Sequence, residues 1–252
     1  MESQRPLYKH IPNLLTLLNL CSGFLSIIFI FYRNLEAAAL FIIIASLFDF
    51  LDGFAARFLK AQSETGKVLD SITDMVSFGV APSAMLFVMI EFSLTRARFD
   101  FTFSTATFTD RLLLFSPIII LVTSALRLAW FAVKEETNVF LGLPTPATSL
   151  FIAGLAFILM DPGAEKIVEW ILNLYILIPL IILLSLLMIS RVRFISLKFK
   201  QFSFQQNKLR YIFIALSAIL LILLQKFAIS LIIVLYILVS ITSHFFTKPS
   251  EL

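Results

Sequence analysis

The chain has 252 residues, of which 60% are hydrophobic and 28 are phenylalanine, a composition that excludes an ordinary soluble domain. Its length suits one helical bundle with no separate soluble unit, and a formal charge of +4 comes from basic residues set among apolar runs. A single cysteine, Cys21, excludes a disulfide within the chain.

About 20 apolar residues carry a helix across about 30 Å of hydrocarbon. By that measure membrane-crossing helices are predicted over roughly 13–32, 36–58, 67–91, 111–133, 145–160, 168–189, 210–226 and 227–246. The fifth is short and the last two abut at LQKFAIS, which sets the count between six and eight. The start, MESQRPLYKH, is charged, but the apolar run after it is too long for a signal segment and has no clean cleavage site. It reads as a retained first helix, with Pro12 near its N-terminus, where a missing N–H costs nothing. The second and third spans flank FDFLDGFAARFLKAQSETGKVLDSITD, Phe48 to Asp74. Farther on, RARFDFTFSTATFTD (Arg96 to Asp110) reads as an interfacial loop, and LGLPTPATS (Leu141 to Ser149) as a proline-punctuated entry into the fifth span. From Arg191, RVRFISLKFKQF alternates basic and aromatic residues, which suits a bilayer surface and not nucleic acid.

The expected fold is therefore an all-α polytopic membrane protein with six core transmembrane helices and about two C-terminal ones. Residues 1–200 form the main bundle, and 201–252 form a C-terminal transmembrane hairpin. With the N-terminus inside, thirteen Lys and Arg lie in cytoplasmic segments against six on the other side, and Arg127 falls within a span. The predicted setting is the cell's inner membrane, with the acidic stretch facing the cytoplasm.

That stretch puts Asp49, Asp52, Asp70 and Asp74 where lipid is expected. A charged side chain at mid-membrane costs about 2.5–3.5 kcal/mol on the lenient scale, so four need cationic compensation. Asp49, Asp52, Gly53 and Ala56 share one helical face, and Gly66, Asp70, Asp74 and Ser77 share another at i, i+4 spacing. A short loop makes these helices antiparallel neighbours, so both stripes can face one cavity, with small residues leaving room for a ligand. Hard carboxylate oxygens beside such room suit Mg²⁺ or Mn²⁺, and two helices could hold two ions against a diphosphate.

The pattern D-x-x-D-G-x-x-A-R-x8-G-x-x-x-D-x-x-x-D, met from Asp49 to Asp74 without departure, resembles the signature of the CDP-alcohol phosphatidyltransferases. IPNLLTLLNLCSGFLSI (from Ile11), LDSITDMVSFGVAPSAML (from Leu69), SALRLAWF (from Ser124), LGLPTPA (from Leu141) and SRVRFISLK (from Ser190) resemble its phosphatidylserine synthase branch. One departure is Trp130, where that branch is expected to carry a second basic residue.

The resemblance implies transfer of the phosphatidyl group of CDP-diacylglycerol to the hydroxyl of L-serine, with release of CMP, in a membrane homodimer. It also implies roles for residues of this chain. Asp49, Asp52, Asp70 and Asp74 would be ligands of a two-ion Mg²⁺ or Mn²⁺ site, and Asp74 would also be the general base. Pro12, Asn13, Thr16, Asp52, Gly53, Ala56, Arg57, Ser63 and Gly66 would contact CDP-diacylglycerol, with Arg57 forking onto the diphosphate. Arg127 or Arg191 would bind the serine carboxylate. Glycerol 3-phosphate or inositol phosphate would be the alternative acceptors, and they would demand several cations near the site. A cation-coupled transporter, the other class that buries carboxylates, should show inverted repeats, and the sequence has none.

Overall fold

The computed structural model describes residues 7–97, 101–133, 140–194 and 208–246. Each predicted span finds helix. The first helix, α1 (Ile11–Phe31), and α2 (Leu35–Phe58) pair as a hairpin, closed outside the apolar region by Asn34, whose side chain accepts from the Ala37 amide. Where they cross, the Ser26 hydroxyl donates to the Ala38 carbonyl at 2.8 Å. In hydrocarbon such hydroxyl-to-backbone contacts and small residues do the work that apolar burial does in water.

The third span is not one regular helix. It starts at Glu64, runs as α3 (Glu64–Asp74), opens into a π-helical turn (Met75–Val80) and continues as α4 (Ala81–Ala97). Single π turns inside α-helices are frequent at functional sites, and this one begins at the residue after Asp74. At this turn α1 comes very close, because a Cβ on Gly23 would lie 2.2 Å from Ser77 Oγ and 2.8 Å from Ser77 Cα.

The fourth span is preceded by a short helix, α5 (Phe108–Leu114), capped by a reciprocal Thr107–Asp110 box, and then runs as α6 (Ile118–Val133). Next, α7 (Thr145–Leu159) has Pro144 and Pro146 at its entry, as the sequence suggests. The sixth span bends by 61° between α8 (Glu165–Ile171) and α9 (Leu174–Ile189). The final pair is α10 (Lys208–Leu224) and α11 (Ala228–Phe246). Gln225, at φ 44°, breaks the chain between them, and the rings of Phe213 and Tyr236 meet at 6.0 Å, so the two arms double back.

Among the described residues, five helical stretches are long and apolar enough to cross a membrane, or six with the bent pair taken as one. The stretch 211–243 holds both arms of the final pair, and α7 is shorter than the usual span. This is a polytopic helical membrane protein, with many large apolar side chains facing outward as lipid requires. The all-α expectation meets one exception, a two-strand ribbon in which β1 (Phe140–Leu141) pairs antiparallel with β2 (Arg193–Phe194). Gly142 makes it possible. It sits at φ 73°, a Cβ there would fall 2.2 Å from the Met188 carbonyl oxygen, and its amide donates to Val192 O at 2.9 Å. The ribbon thus ties the entry of α7 to the end of α9. Of the predicted interfacial segment from Arg191 onward, the part after Phe194 lies outside the described residues. So do Arg5, Arg98, Lys134, Lys198, Lys200 and Lys248 from the orientation count.

Candidate active site

The acidic motif closes on itself across the α2–α3 junction. Arg57 lies in the last turn of α2, and the short connection through Lys60 carries the chain to Ser63, the N-cap of α3. Ser63 Oγ accepts from the Gly66 amide at 3.0 Å, the Ser-x-x-Gly spacing of an N-cap to N3 contact. The turn returns α3 beside α2, and carboxylate oxygens of Asp49, Asp70 and Asp74 come to lie within 4.8 Å of one another. Three carboxylates at that separation repel strongly unless a cation joins them.

Asp52 is not among the three. It is buried one turn along α2, three residues from Asp49, and that step leaves it turned toward α1, where Thr16 is within hydrogen-bonding reach of its carboxyl. Its Oδ2 is buried without a hydrogen-bond partner. An all-oxygen donor set with an orphaned buried carboxylate oxygen beside it fits a hard divalent cation, and fits zinc or copper poorly. The motif therefore offers a place for metal, with three ligands converged and a fourth carboxylate adjacent.

The residues expected to hold the donor gather on the same side. Asn13 and Ser63 flank Gly66 so closely that a Cβ there would meet Ser63 Oγ at 3.0 Å and Asn13 Oδ1 at 3.2 Å. Gly53 by contrast opens onto space, with only Arg57 Nη1 within 3.9 Å of an added Cβ. Pro12 and Thr16 are buried on α1, where the Thr16 hydroxyl donates to the Pro12 carbonyl at 3.0 Å. Ala56 is half-buried, and Arg57 is exposed at the rim.

One residue at the centre was missed from the sequence. Asn19, fully buried on α1, donates from Nδ2 to Asp74 Oδ1 at 3.4 Å, while its own Oδ1 is buried without a partner. Its carbonyl oxygen accepts from the Ser77 hydroxyl at 3.2 Å, fastening α1 to the π turn. The signal was present as Thr16, Asn19, Gly23 and Ser26, polar or small residues at helical spacing along an apolar span.

The two candidates for an acceptor carboxylate separate. Arg127 on α6 is 6% exposed, lies within electrostatic reach of Asp74, and places Nη1 3.5 Å from Thr145 Oγ1. Its guanidinium carbon sits 4.6 Å from the centre of the Phe131 ring. Arg191 is exposed beyond the end of α9. Trp130 is 54% exposed, on the outward face of α6.

Comparison with known proteins gives a consistent picture. The sequence profile described as CDP-alcohol phosphatidyltransferase matches residues 9–189. A protein of Bacillus subtilis named CDP-diacylglycerol–serine O-phosphatidyltransferase is 32% identical over 150 residues, covering 59% of this chain and 76% of that one. A protein of the same name from Methanocaldococcus jannaschii is 34% identical over 184 residues, 73% of each chain. An archaetidylserine synthase of Methanothermobacter thermautotrophicus is 35% identical over 146 residues, 57% of this chain and 56% of its own length.

Proposed function

The chain belongs to the CDP-alcohol phosphatidyltransferase family, and from that premise we propose that it moves the phosphatidyl group of CDP-diacylglycerol onto the hydroxyl of L-serine, releasing CMP. The convergence of Asp49, Asp70 and Asp74 within 4.8 Å carries this reading, because it gathers a diphosphate-grade cation site at the family motif. The names of the relatives support serine as the acceptor.

Asp49, Asp70 and Asp74, with Asp52 beside them, would hold Mg²⁺ or Mn²⁺ in a two-ion arrangement. When bound, such ions neutralise the diphosphate and ease departure of CMP. Arg57 offers a planar fork to the same phosphates from the rim. Asn13, Ser63 and Gly66 form the wall against which the nucleotide rests, with Pro12, Thr16, Gly53 and Ala56 shaping its floor. Asp74 takes the proton from the serine hydroxyl as the oxygen–phosphorus bond forms and the bond to CMP breaks. Asn19, bonded to Asp74 Oδ1, fixes that carboxyl so that its other oxygen faces the acceptor. Arg127, and not the exposed Arg191, pairs with the serine carboxylate, since it is buried and within electrostatic reach of Asp74.

The same reading sets the catalytic bundle at 1–200, in a homodimer whose active site faces the cytoplasm from the inner membrane, where activated nucleotide precursors are available. The test is purified protein with labelled CDP-diacylglycerol and Mn²⁺ or Mg²⁺, offered serine, glycerol 3-phosphate or inositol phosphate in turn. CMP release is expected with serine alone; release that follows a phosphorylated alcohol instead overturns the acceptor.

A further inference from the structure

Arg127 is a buried cation in search of an anion. Among the described residues no carboxylate comes within ion-pair distance, its Nε is buried without a hydrogen-bond partner, and Thr145 Oγ1 is a marginal acceptor at 3.5 Å. Burying a guanidinium so incompletely satisfied is costly unless a ligand completes it. The family match stops at residue 189, yet the wall facing this cation is built partly from beyond it.

That wall is α11. Its buried face recurs every three or four residues as Ser230, Ile233, Tyr236 and Ser240, a polar stripe that lipid would not reward. The Ser230 hydroxyl donates to the Phe151 carbonyl at 3.1 Å, and a Cβ on Gly154 would fall 2.3 Å from Ser230 Oγ, so α7 and α11 touch there. Six residues later, about 9 Å along the helix, the Tyr236 ring meets Phe194 at 5.7 Å. Phe194 pairs by backbone with Phe140, at the entry of α7, so α11 runs toward the end of α7 that carries Thr145. Tyr236 is 7% exposed, interacts electrostatically with Arg127, and has its phenol steadied by Ser240 one turn on.

We propose that Tyr236, Arg127 and Thr145 together form the pocket for the acceptor's carboxylate, which extends the substrate site beyond the 1–200 bundle to α11 and makes Tyr236 a determinant of acceptor choice. The inference rests on serine being the acceptor. Chemically, a carboxylate has two oxygens, and a guanidinium fork with a phenol and an alcohol around it satisfies both. An acceptor without a carboxylate leaves the buried cation unmatched and is disfavoured.

The experiment compares the unaltered enzyme with Tyr236→Phe, which keeps the ring against Phe194 and Phe213 and removes only the hydroxyl. CMP release is measured against L-serine, against CDP-diacylglycerol, and with 2-amino-1,3-propanediol as a carboxylate-free acceptor. The serine KM is expected to rise about tenfold, the worth of one hydrogen bond to a charged group. The donor KM should stay within about twofold of its starting value, and the preference for serine over the aminodiol should narrow. Thr145→Val, isosteric at its site, should move the serine KM in the same direction. An unchanged serine KM, or equal rises for both substrates, overturns the pocket and leaves Tyr236 a packing residue. CMP release by the unaltered enzyme that ignores serine would remove the acceptor reading first, and the pocket with it.

Discussion

Asn19 meets Asp74 from a helix that carries none of the four aspartates. It sits on α1, its Nδ2 donates to Asp74, and its backbone oxygen anchors Ser77 in the π turn. If Asp74 is the base, Asp74→Asn should lower turnover by on the order of 10²–10⁴-fold while the protein still enters the membrane fraction. Asn19→Ala should act more gently and differently, lowering kcat about tenfold with both KM values nearly unchanged, because it disorders the base without touching either substrate. Steady-state kinetics on the two variants tells these apart; a serine or donor KM that moves with kcat in Asn19→Ala would mean that Asn19 contacts substrate directly. The aspartates themselves were legible in the sequence, since charge in an apolar run is costly and helical spacing fixes which of them share a face. Asn19 is harder to single out, because the stripe it shares with Thr16, Gly23 and Ser26 marks a packing face but carries no charge to say which residue meets Asp74.

At the scale of elements, close approach is what aligns the site. The contact of Gly23 with Ser77 brings α1 against the helix that carries Asp74, and the π turn just after Asp74 sets how that helix continues. Gly23→Val has no room, and it should destabilise the folded protein by about 1–3 kcal/mol. A lowered midpoint in detergent unfolding, with loss of CMP release, is the expected result; a variant of unaltered stability would show that α1 can shift away without consequence. The hydropathy pattern finds the helices but not their breaks. The π turn is followed closely by Pro82, whose missing N–H leaves the Phe78 carbonyl in that turn without its helical donor, whereas the 61° bend between α8 and α9 has no proline at the break. At the second of these, the Ser93 hydroxyl of α4 reaches the Leu172 carbonyl that the bend releases. Nor does the hydropathy pattern find the short ribbon that Gly142 permits, which pairs Phe140 with Phe194 and Leu141 with Arg193 across more than one intervening helix.

For the whole molecule, the gathered carboxylates predict dependence on a divalent ion. Treatment with a chelator should abolish CMP release, and Mn²⁺ or Mg²⁺ should restore it. The same ions should raise the melting temperature of the unaltered protein, and raise it less in Asp49→Asn, because a ligand that binds only the folded state stabilises it by mass action. Activity that survives exhaustive chelation, with no thermal response to either ion, would remove metal from the account.

The sequence by itself determined the solvent of this protein, its helical class, and the motif that places it in its family, because hydropathy and charge act through local spacing along one helix. It also identified which carboxylates could share a face. Only the tertiary structure decided that Asp49, Asp70 and Asp74 converge with Asp52 beside them near Thr16, that Asn19 bonds Asp74, and that Arg127 rather than Arg191 is buried within electrostatic reach of Asp74. Each of those depends on how one helix is rotated against another. In a bilayer that rotation is fixed by small-residue contacts and side-chain hydrogen bonds between distant segments, which no local pattern records.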